Sequence, residues 1–474
     1  MTESARAVQK IGSLEEIPPS WEITCDSREE VKDKVFICIR GRRHDGHADA
    51  ADALRRGAAL IVAERSIVPE RQLIVPDSRA ALARLAARHY GCPAAGMRII
   101  GITGTNGKTT TAHILCHLLQ AAGIRVGRIG TDGIMWNGKT LPNPNTTPEP
   151  LLLHRTLAAM RRDGITAVVM EVSSQALAQK RVEGITFAAG VFTNLSQDHL
   201  DYHPDMESYF AAKARLFTQS RMAVLNTADP YGRRLLETAA VPVIPYHLPE
   251  ERECTVGGGS ILWRGGRMTV PFTGEIFLYD ALAAAETALA SGVPISLIRR
   301  AMATCPPVRG RAELLYRSTG RLILRDYAHT PDALEQILCS LKKLHRGKIT
   351  VLFGCGGDRD AKKRPLMGAA AARYAHQIIL TDDNPRSEEP EAIRREIAKG
   401  IPKDSPCTEI PDRKAAIRQA ILAMEPGELL LLAGKGHETD QILKDRTIPF
   451  DEKAVVNTIL ESENIPWKNN PSRP

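Results

Sequence analysis

Residues 101–110 read Gly-Ile-Thr-Gly-Thr-Asn-Gly-Lys-Thr-Thr, between an apolar run at 98–103 and a helical pattern at 110–122 that stops at Gly123. A glycine-rich turn from strand into helix lets several backbone N–H groups converge on phosphate oxygens, where the helix end adds partial positive charge. Such a turn belongs to a strand–helix unit, so it commits the chain to an α/β fold. Lys108 is expected to reach the β and γ phosphates of a nucleotide and the Thr109 hydroxyl to ligate Mg²⁺, with Gly104, Thr105, Asn106, Gly107 and Thr110 completing the cradle. The pattern departs from a strict Walker loop at Ile102, where glycine is usual. Phosphate binding alone fits GTPases, kinases and ligases equally, so the rest of the chain must decide.

Apolar runs that end in small or polar loops recur along the chain. They fall at 98–103, 166–171, 190–194 and 222–226, and again at 321–326, 349–354, 377–381 and 428–433, with a Pro- and Gly-bearing break at 305–310. Strands alternating with helices predict parallel sheets covered on both faces. Ligands of such sheets bind beyond the carboxyl ends of the strands. The polar segments that follow the runs, among them 171–175, 194–199, 326–329, 382–386 and 434–438, are therefore where chemistry is expected. A Gly-Cys-Pro-Ala-Ala-Gly stretch at 91–96 reads as a linker after a small α/β domain with a helical pattern at 80–90.

Length fits about three domains. The 474 residues hold no apolar run near the roughly 20 that a membrane span needs, and residues 1–10 lack a signal core. A cytoplasmic protein is expected. Nine scattered cysteines without a Cys-x-x-Cys pair indicate neither a disulfide framework nor a zinc site, and reduced, buried thiols are expected. The formal net charge of +8 is spread among acidic residues, without a basic block interleaved with aromatics, which disfavours nucleic acid and suits a small anionic ligand.

Thr103-Gly-Thr-Asn-Gly-Lys-Thr-Thr110 resembles the ATP loop of the Mur ligase family. Further matching motifs follow in order: Asn145-Thr-Thr-Pro148, Glu171-Val-Ser-Ser174, Thr193-Asn-Leu-Ser-Gln-Asp-His199, Ala212-Lys-Ala214, Asp326-Tyr-Ala-His-Thr-Pro-Asp332, Gly356-Gly-Asp-Arg359, Asp383-Asn-Pro-Arg386 and Gly434-Lys-Gly-His-Glu438. The resemblance implies three domains: a uridine-nucleotide domain at 1–95, a central parallel-sheet P-loop ATPase at 96–307 and a C-terminal Rossmann-like domain at 308–474. It also implies the reaction. ATP phosphorylates the substrate's terminal carboxylate, and an amine attacks the acyl phosphate. Within the family the motifs look like the ligase that adds the third residue of the peptidoglycan stem peptide. The expected substrates are ATP, the UDP-muramoyl dipeptide and meso-diaminopimelate, the expected cofactor is Mg²⁺, and a monomer is expected.

By the same resemblance Glu171 and His199 ligate Mg²⁺, and Lys213 carries a CO₂-derived carbamate beside a second metal. Lysine reacts with CO₂ only as the neutral amine, so burial or nearby cations must lower its pKa from about 10.4. Ser27 is carried over for the uridine end, and Asn145, Thr146, Thr147, Ser173, Gln179 and Arg181 for the muramoyl dipeptide; Asn226, Arg311 and His329 join the ATP set. Arg359, Asp383, Asn384, Pro385, Arg386, Gly434 and Glu438 form the diaminopimelate set. Diaminopimelate differs from L-lysine by one distal carboxylate, so a cation must meet it, and Arg386 stands where lysine-adding relatives carry a non-basic residue. Glu438 suits the distal ammonium.

Two departures are visible. Gln175 stands where relatives usually have His, and Ile276-Phe-Leu-Tyr-Asp280 stands where they usually read Phe-Asn-Val-Tyr-Asn, which puts the adenine-side contacts in question. Competing readings are a lysine-adding ligase, a folylpolyglutamate synthetase-like enzyme, or a nucleotide-binding regulatory protein without turnover.

Overall fold

The computed structural model describes residues 11–41, 44–200, 202–318 and 320–465. Residues 1–10, read above for a signal core, lie outside them. Four parallel strands open the chain: β1 (Ile23–Thr24), β2 (Val35–Ile37), β3 (Leu60–Ala63) and β4 (Gln72–Ile74), in that order. Alternation puts Val35, Ile37, Leu60 and Val62 into one core and Phe36, Ile61 and Ala63 into another, so this sheet is buried on both faces. The helix Ser78–His89 starts where the Asp77 side chain accepts from Ala80 N.

The second sheet has eight strands in the order β12-β11-β10-β5-β9-β6-β7-β8. Their ranges are β5 Arg98–Thr103, β6 Val126–Gly130, β7 Gly133–Trp136, β8 Lys139–Leu141, β9 Ala167–Glu171, β10 Ala189–Phe192, β11 Ala223–Asn226 and β12 Val243–Tyr246. From β11 through β6 the pairing is parallel, while β6, β7 and β8 form an antiparallel meander that the sequence reading did not anticipate. A small antiparallel sheet also went unread: β13 (Arg252–Thr255), β14 (Gly258–Trp263) and β15 (Gly266–Val270).

The last large sheet orders β16 (Glu313–Ser318), β17 (Arg321–Asp326), β21 (Leu429–Ala433), β18 (Ile349–Phe353), β19 (Gln377–Leu380) and β20 (Cys407–Glu409). All pairs are parallel except β16 with β17. Leu430, Leu432, Ile323 and Leu352 pack on the helices Arg413–Ala423 and Glu452–Ser462 through Ile417, Ile421, Val456 and Leu460.

The chain divides into two compact units interleaved in sequence. One holds the chain up to Gly104, Leu119–Phe192 and Asp205–Pro245; the other holds Thr105–Leu118, Thr193–Pro204 and the chain from Tyr246 onward. Among the described residues no helix is long and apolar enough to cross a membrane. None of the nine cysteines is in a disulfide, but the expectation that they are buried needs correcting: Cys25, Cys92 and Cys407 are exposed, and only Cys38, Cys116, Cys305 and Cys355 are buried.

Candidate functional site

In the first unit, the carboxyl end of β9 gathers most of the predicted muramoyl-dipeptide residues around Glu171. The Glu171 carboxylate is 1% exposed. It accepts from Thr131 N at 3.0 Å and from the Thr131 hydroxyl at 3.2 Å. Gly130 leaves room for it, because a Cβ there would stand 2.2 Å from Glu171 Oε1. The Thr131 hydroxyl lies 3.1 Å from that of Thr146. Thr147 donates its hydroxyl to the Glu171 carbonyl at 2.9 Å and accepts from Ser173 N at 3.0 Å. Ser173 caps the helix Ser174–Ala178 by accepting from Ala176 N. Arg181 donates to the Thr147 carbonyl at 2.8 Å and to Gln179 Oε1 at 2.8 Å, and it pairs with Glu149 at 2.8 Å. Asn145 is exposed beside this cluster. Ser27 follows β1 between the paired Asp26 and Arg28, and no hydrogen bond among the described residues ties it to Thr147 or Glu171. Sequence reasoning missed Thr131, whose position just past β6 carries no motif.

Lys213, on the helix Met206–Thr218, is 1% exposed. Its Nζ donates to the Gly104 carbonyl at 2.7 Å and sits 4.5 Å over the Tyr209 ring. Asn226 ends β11 with its amide oxygen accepting from Ala228 N at 3.0 Å, so it shapes the turn into the next helix.

In the second unit the phosphate loop is tied to residues 193–196 by paired hydrogen bonds. Thr105 N donates to the Asn194 carbonyl at 2.9 Å, Asn106 N to Asn194 Oδ1 at 2.9 Å, and Ser196 N to the Thr105 hydroxyl at 3.0 Å. Asp332 accepts from the Asn106 amide at 3.1 Å and the Ser196 hydroxyl at 2.7 Å. Gly107, at φ +83°, starts the helix Lys108–Ala121, two residues earlier than the helical pattern suggested. Lys108 Nζ donates to the Thr105 carbonyl at 2.8 Å, and Arg311 donates to the Thr109 hydroxyl at 3.4 Å while stacking 4.8 Å from the Tyr327 ring centre. His329 is exposed, with Nδ1 2.7 Å from the Tyr327 carbonyl. His199 is also exposed, in left-handed backbone at φ 54°.

Asp280 bears on one of the two lost asparagines. It is 4% exposed and lies directly against the phosphate loop, where a Cβ on Gly107 would come within 2.2 Å of Asp280 Oδ1. Burial pushes its carboxyl up to about 8, with the Arg311 charge opposing. Near neutral pH it is therefore mostly the uncharged acid, as free of charge as the asparagine it replaces. A carboxyl raised from 3.8 to about 8 contributes stability that is whole below pH 4 and lost as the pH climbs through about 8. Asp280→Asn removes that loss, so its thermal midpoint should gain on the wild type by more at pH 9 than at pH 5. An offset independent of pH would show that the acid is not buried as described.

The polar loops after β17, β18, β19 and β21 meet at one end of the last sheet. Asp326 closes β17 and accepts from Ala312 N at 2.6 Å and Ala328 N at 2.8 Å. Asn384 N donates to Asp383 Oδ1 at 2.8 Å. Gly434, at φ +109°, passes so near Asp383 that a Cβ would be 2.8 Å from its Oδ2. A Cβ on Gly357 would be 1.9 Å from the Pro385 carbonyl oxygen, so the loops after β18 and β19 touch backbone to backbone. Arg386 lies here at φ 52°, half-buried, with Nη1 donating to the Gly357 carbonyl at 2.8 Å and no carboxylate partner recorded among the described residues. Glu438 is half-buried and accepts from Asn384 Nδ2 at 2.8 Å. Arg359 is exposed on the neighbouring loop. Beneath, the fully buried pair Arg413–Glu452 fixes the end of β21, since Arg413 also donates to the Ala433 carbonyl at 2.8 Å.

Among the described residues no three His, Cys, Asp or Glu side chains converge to form a metal cage. Taken singly, the Glu171 carboxylate of the first unit and the Thr109 hydroxyl of the second are hard oxygen donors of the kind Mg²⁺ takes, a cation that keeps water and accepts phosphates as further ligands.

A phosphate loop tied to strand-end loops, on an α/β fold of largely parallel sheets, defines a nucleotide-using enzyme. The family model for the Mur ligase middle domain matches residues 102–288, and that for the Mur ligase, glutamate ligase domain matches 310–436. The UDP-N-acetylmuramoyl-L-alanyl-D-glutamate--2,6-diaminopimelate ligase of Geobacillus thermodenitrificans (strain NG80-2) is 43% identical over 466 residues, covering 94% of this chain and 95% of that protein. A solved structure of a ligase of that name aligns with a TM-score of 0.69 at 30% identity, covering 98% of this chain and all of that one. Mycobacterium tuberculosis folylpolyglutamate synthase complexed with ADP shares the fold, with a TM-score of 0.63 at 20% identity over 75% of this chain and 91% of that one. The chain belongs to the Mur ligase family.

Proposed function

We propose that this chain is the ATP-dependent ligase that adds meso-diaminopimelate to the D-glutamate carboxylate of UDP-N-acetylmuramoyl-L-alanyl-D-glutamate, in peptidoglycan precursor synthesis. The observation that carries the substrate choice is the Asp383–Arg386 loop. It holds a guanidinium on a neutral carbonyl, beside the Asn384–Glu438 pair that suits an amino-acid end. A guanidinium so held can pair in fork geometry with the distal carboxylate that lysine lacks.

A carboxylate is a poor electrophile at neutral pH, so one of its oxygens first attacks the γ phosphorus of ATP and ADP leaves. The neutral amine then attacks the acyl carbon through a tetrahedral intermediate, its nitrogen gives up one proton to water, and phosphate leaves with the C–O bond's electron pair. In this reading Lys108 and Arg311 hold the triphosphate, with Gly104, Thr105, Asn106, Gly107, Thr109 and Thr110 around it and Asn226 and His329 at its margins. Thr146, Thr147, Ser173, Gln179 and Arg181, with Asn145, orient the muramoyl dipeptide, and Ser27 meets the uridine end. Glu171, His199 and Thr109 would hold Mg²⁺, which spreads the charge of the phosphates. Lys213 as its carbamate would serve a second ion. The domains would divide at 95 and 307, and a monomer working in the cytoplasm is the natural setting.

The test is phosphate release by purified protein given ATP, Mg²⁺ and the UDP-muramoyl dipeptide, with meso-diaminopimelate or L-lysine as acceptor. Release with diaminopimelate, and at least tenfold less with equal lysine, is expected. Equal rates with both would remove the role given to Arg386, and release with neither would favour a nucleotide-binding regulator.

A further inference from the structure

The loop after β21 contains a lysine to which the reading above gives no role. Lys435 is 0% exposed, yet its ammonium is not buried idly: Nζ donates to Asn384 Oδ1 at 3.1 Å and to Glu438 Oε2 at 3.1 Å. Those two partners also bond to one another, Asn384 Nδ2 donating to Glu438 Oε2 at 2.8 Å. Asn384 is 3% exposed, and its Oδ1 takes a second bond, from Ile442 N at 3.0 Å.

The consequence follows from the donors and acceptors of an amide. A carbonyl oxygen has two lone pairs, and both of those on Asn384 are filled by donors that cannot accept: an ammonium and a backbone N–H. Flipping the amide would set its NH₂ against these two donors. The orientation is thus fixed, and Asn384 can offer a ligand only its remaining N–H. Glu438 is constrained in the same way. Oε2 is taken by Lys435 and Asn384, so Oε1 is the oxygen left to face a ligand's ammonium.

We propose that Lys435 is the positioning residue of the amino-acid pocket, presenting Asn384 as a donor to the substrate carboxylate and Glu438 as an acceptor for its ammonium. This rests on the assignment of Asn384 and Glu438 to the amino-acid substrate. Lys435 itself touches no reacting atom. Its removal should therefore weaken capture of the amino acid and leave the phosphoryl step largely intact.

Steady-state kinetics of Lys435→Met, Lys435→Gln, Asn384→Ala and the Lys435→Met/Asn384→Ala double variant test this in the full-length enzyme with ATP and the UDP-muramoyl dipeptide. Methionine keeps the length but donates nothing, so KM for diaminopimelate should rise about thirtyfold or more, with kcat and KM for ATP within about threefold. Glutamine can donate one N–H to each partner, and should keep KM for diaminopimelate within about fivefold of wild type. The double variant should fall clearly short of the sum of the two single variants, because Lys435 works in part through that amide. Fully additive effects, a parallel fall in kcat and ATP affinity, or no rescue by glutamine would each overturn the proposal. Should Glu438→Gln leave KM for diaminopimelate unchanged, the pocket assignment itself fails. If Glu438→Gln raises it and Lys435→Met does not, only the role of Lys435 falls.

Discussion

Replacing Arg386 by alanine should lower kcat/KM for meso-diaminopimelate by roughly 10- to 150-fold while changing the small activity with L-lysine by less than about threefold. The estimate converts a charge-assisted hydrogen-bonded pair, worth about 1.5–3 kcal/mol, into a rate ratio. The guanidinium already has one N–H on the Gly357 carbonyl at 2.8 Å, which orients the fork before any ligand arrives. Lysine at this position is not an equivalent replacement, since an ammonium lacks the planar fork and would recover only part of the loss. Competition between the two amino acids in one reaction, read by mass spectrometry of the products, gives the ratio directly. Unchanged selectivity in Arg386→Ala would mean that another group reads the distal carboxylate.

Lys213→Ala should reduce kcat on the order of a hundredfold or more, the scale on which losing one preorganised charged group acts. KM for diaminopimelate should hardly move. The side chain is 1% exposed and donates to the Gly104 carbonyl at 2.7 Å. Carbamate formation keeps one N–H on the nitrogen, so that bond can survive the modification while an anionic group is added beyond it. Wild-type turnover should fall in CO₂-depleted buffer and return with bicarbonate, and the alanine variant should respond to neither treatment. Full turnover in the alanine variant would end the carbamate proposal.

Legibility in the sequence varied with the kind of interaction involved. The strand Arg98–Thr103 was readable as an unbroken apolar run because both its faces are buried, and the helix Ser78–His89 was readable at 80–90 from its apolar spacing, although the Asp77 cap that starts it went unread. The β13–β15 sheet was not readable: its short strands mix Arg, Glu and Thr with two successive glycines that open β14, so alternation is lost. Site residues carried by motifs were legible as a group, yet the partners that set their geometry were not. Thr131 holds Glu171 only because the meander after β6 brings its N–H and hydroxyl onto the carboxylate. Lys435 lay inside a recognised motif, but its bond to Asn384 spans 51 positions and appears only in three dimensions. Asp280 put the adenine-side contacts in question by residue type, whereas burial raises its carboxyl to about 8 and so favours the neutral acid.

The left-handed backbone at Arg386, φ 52°, sets two selection pressures against each other at one codon. A β-carbon is disfavoured there by about 1–2 kcal/mol, whereas glycine enters that region at no steric cost. A library of variants sorted by heat tolerance should drift toward glycine at this site, and one sorted by turnover should hold arginine. Any engineering route that ranks substitutions by stability alone would then discard the side chain on which the choice of amino acid rests.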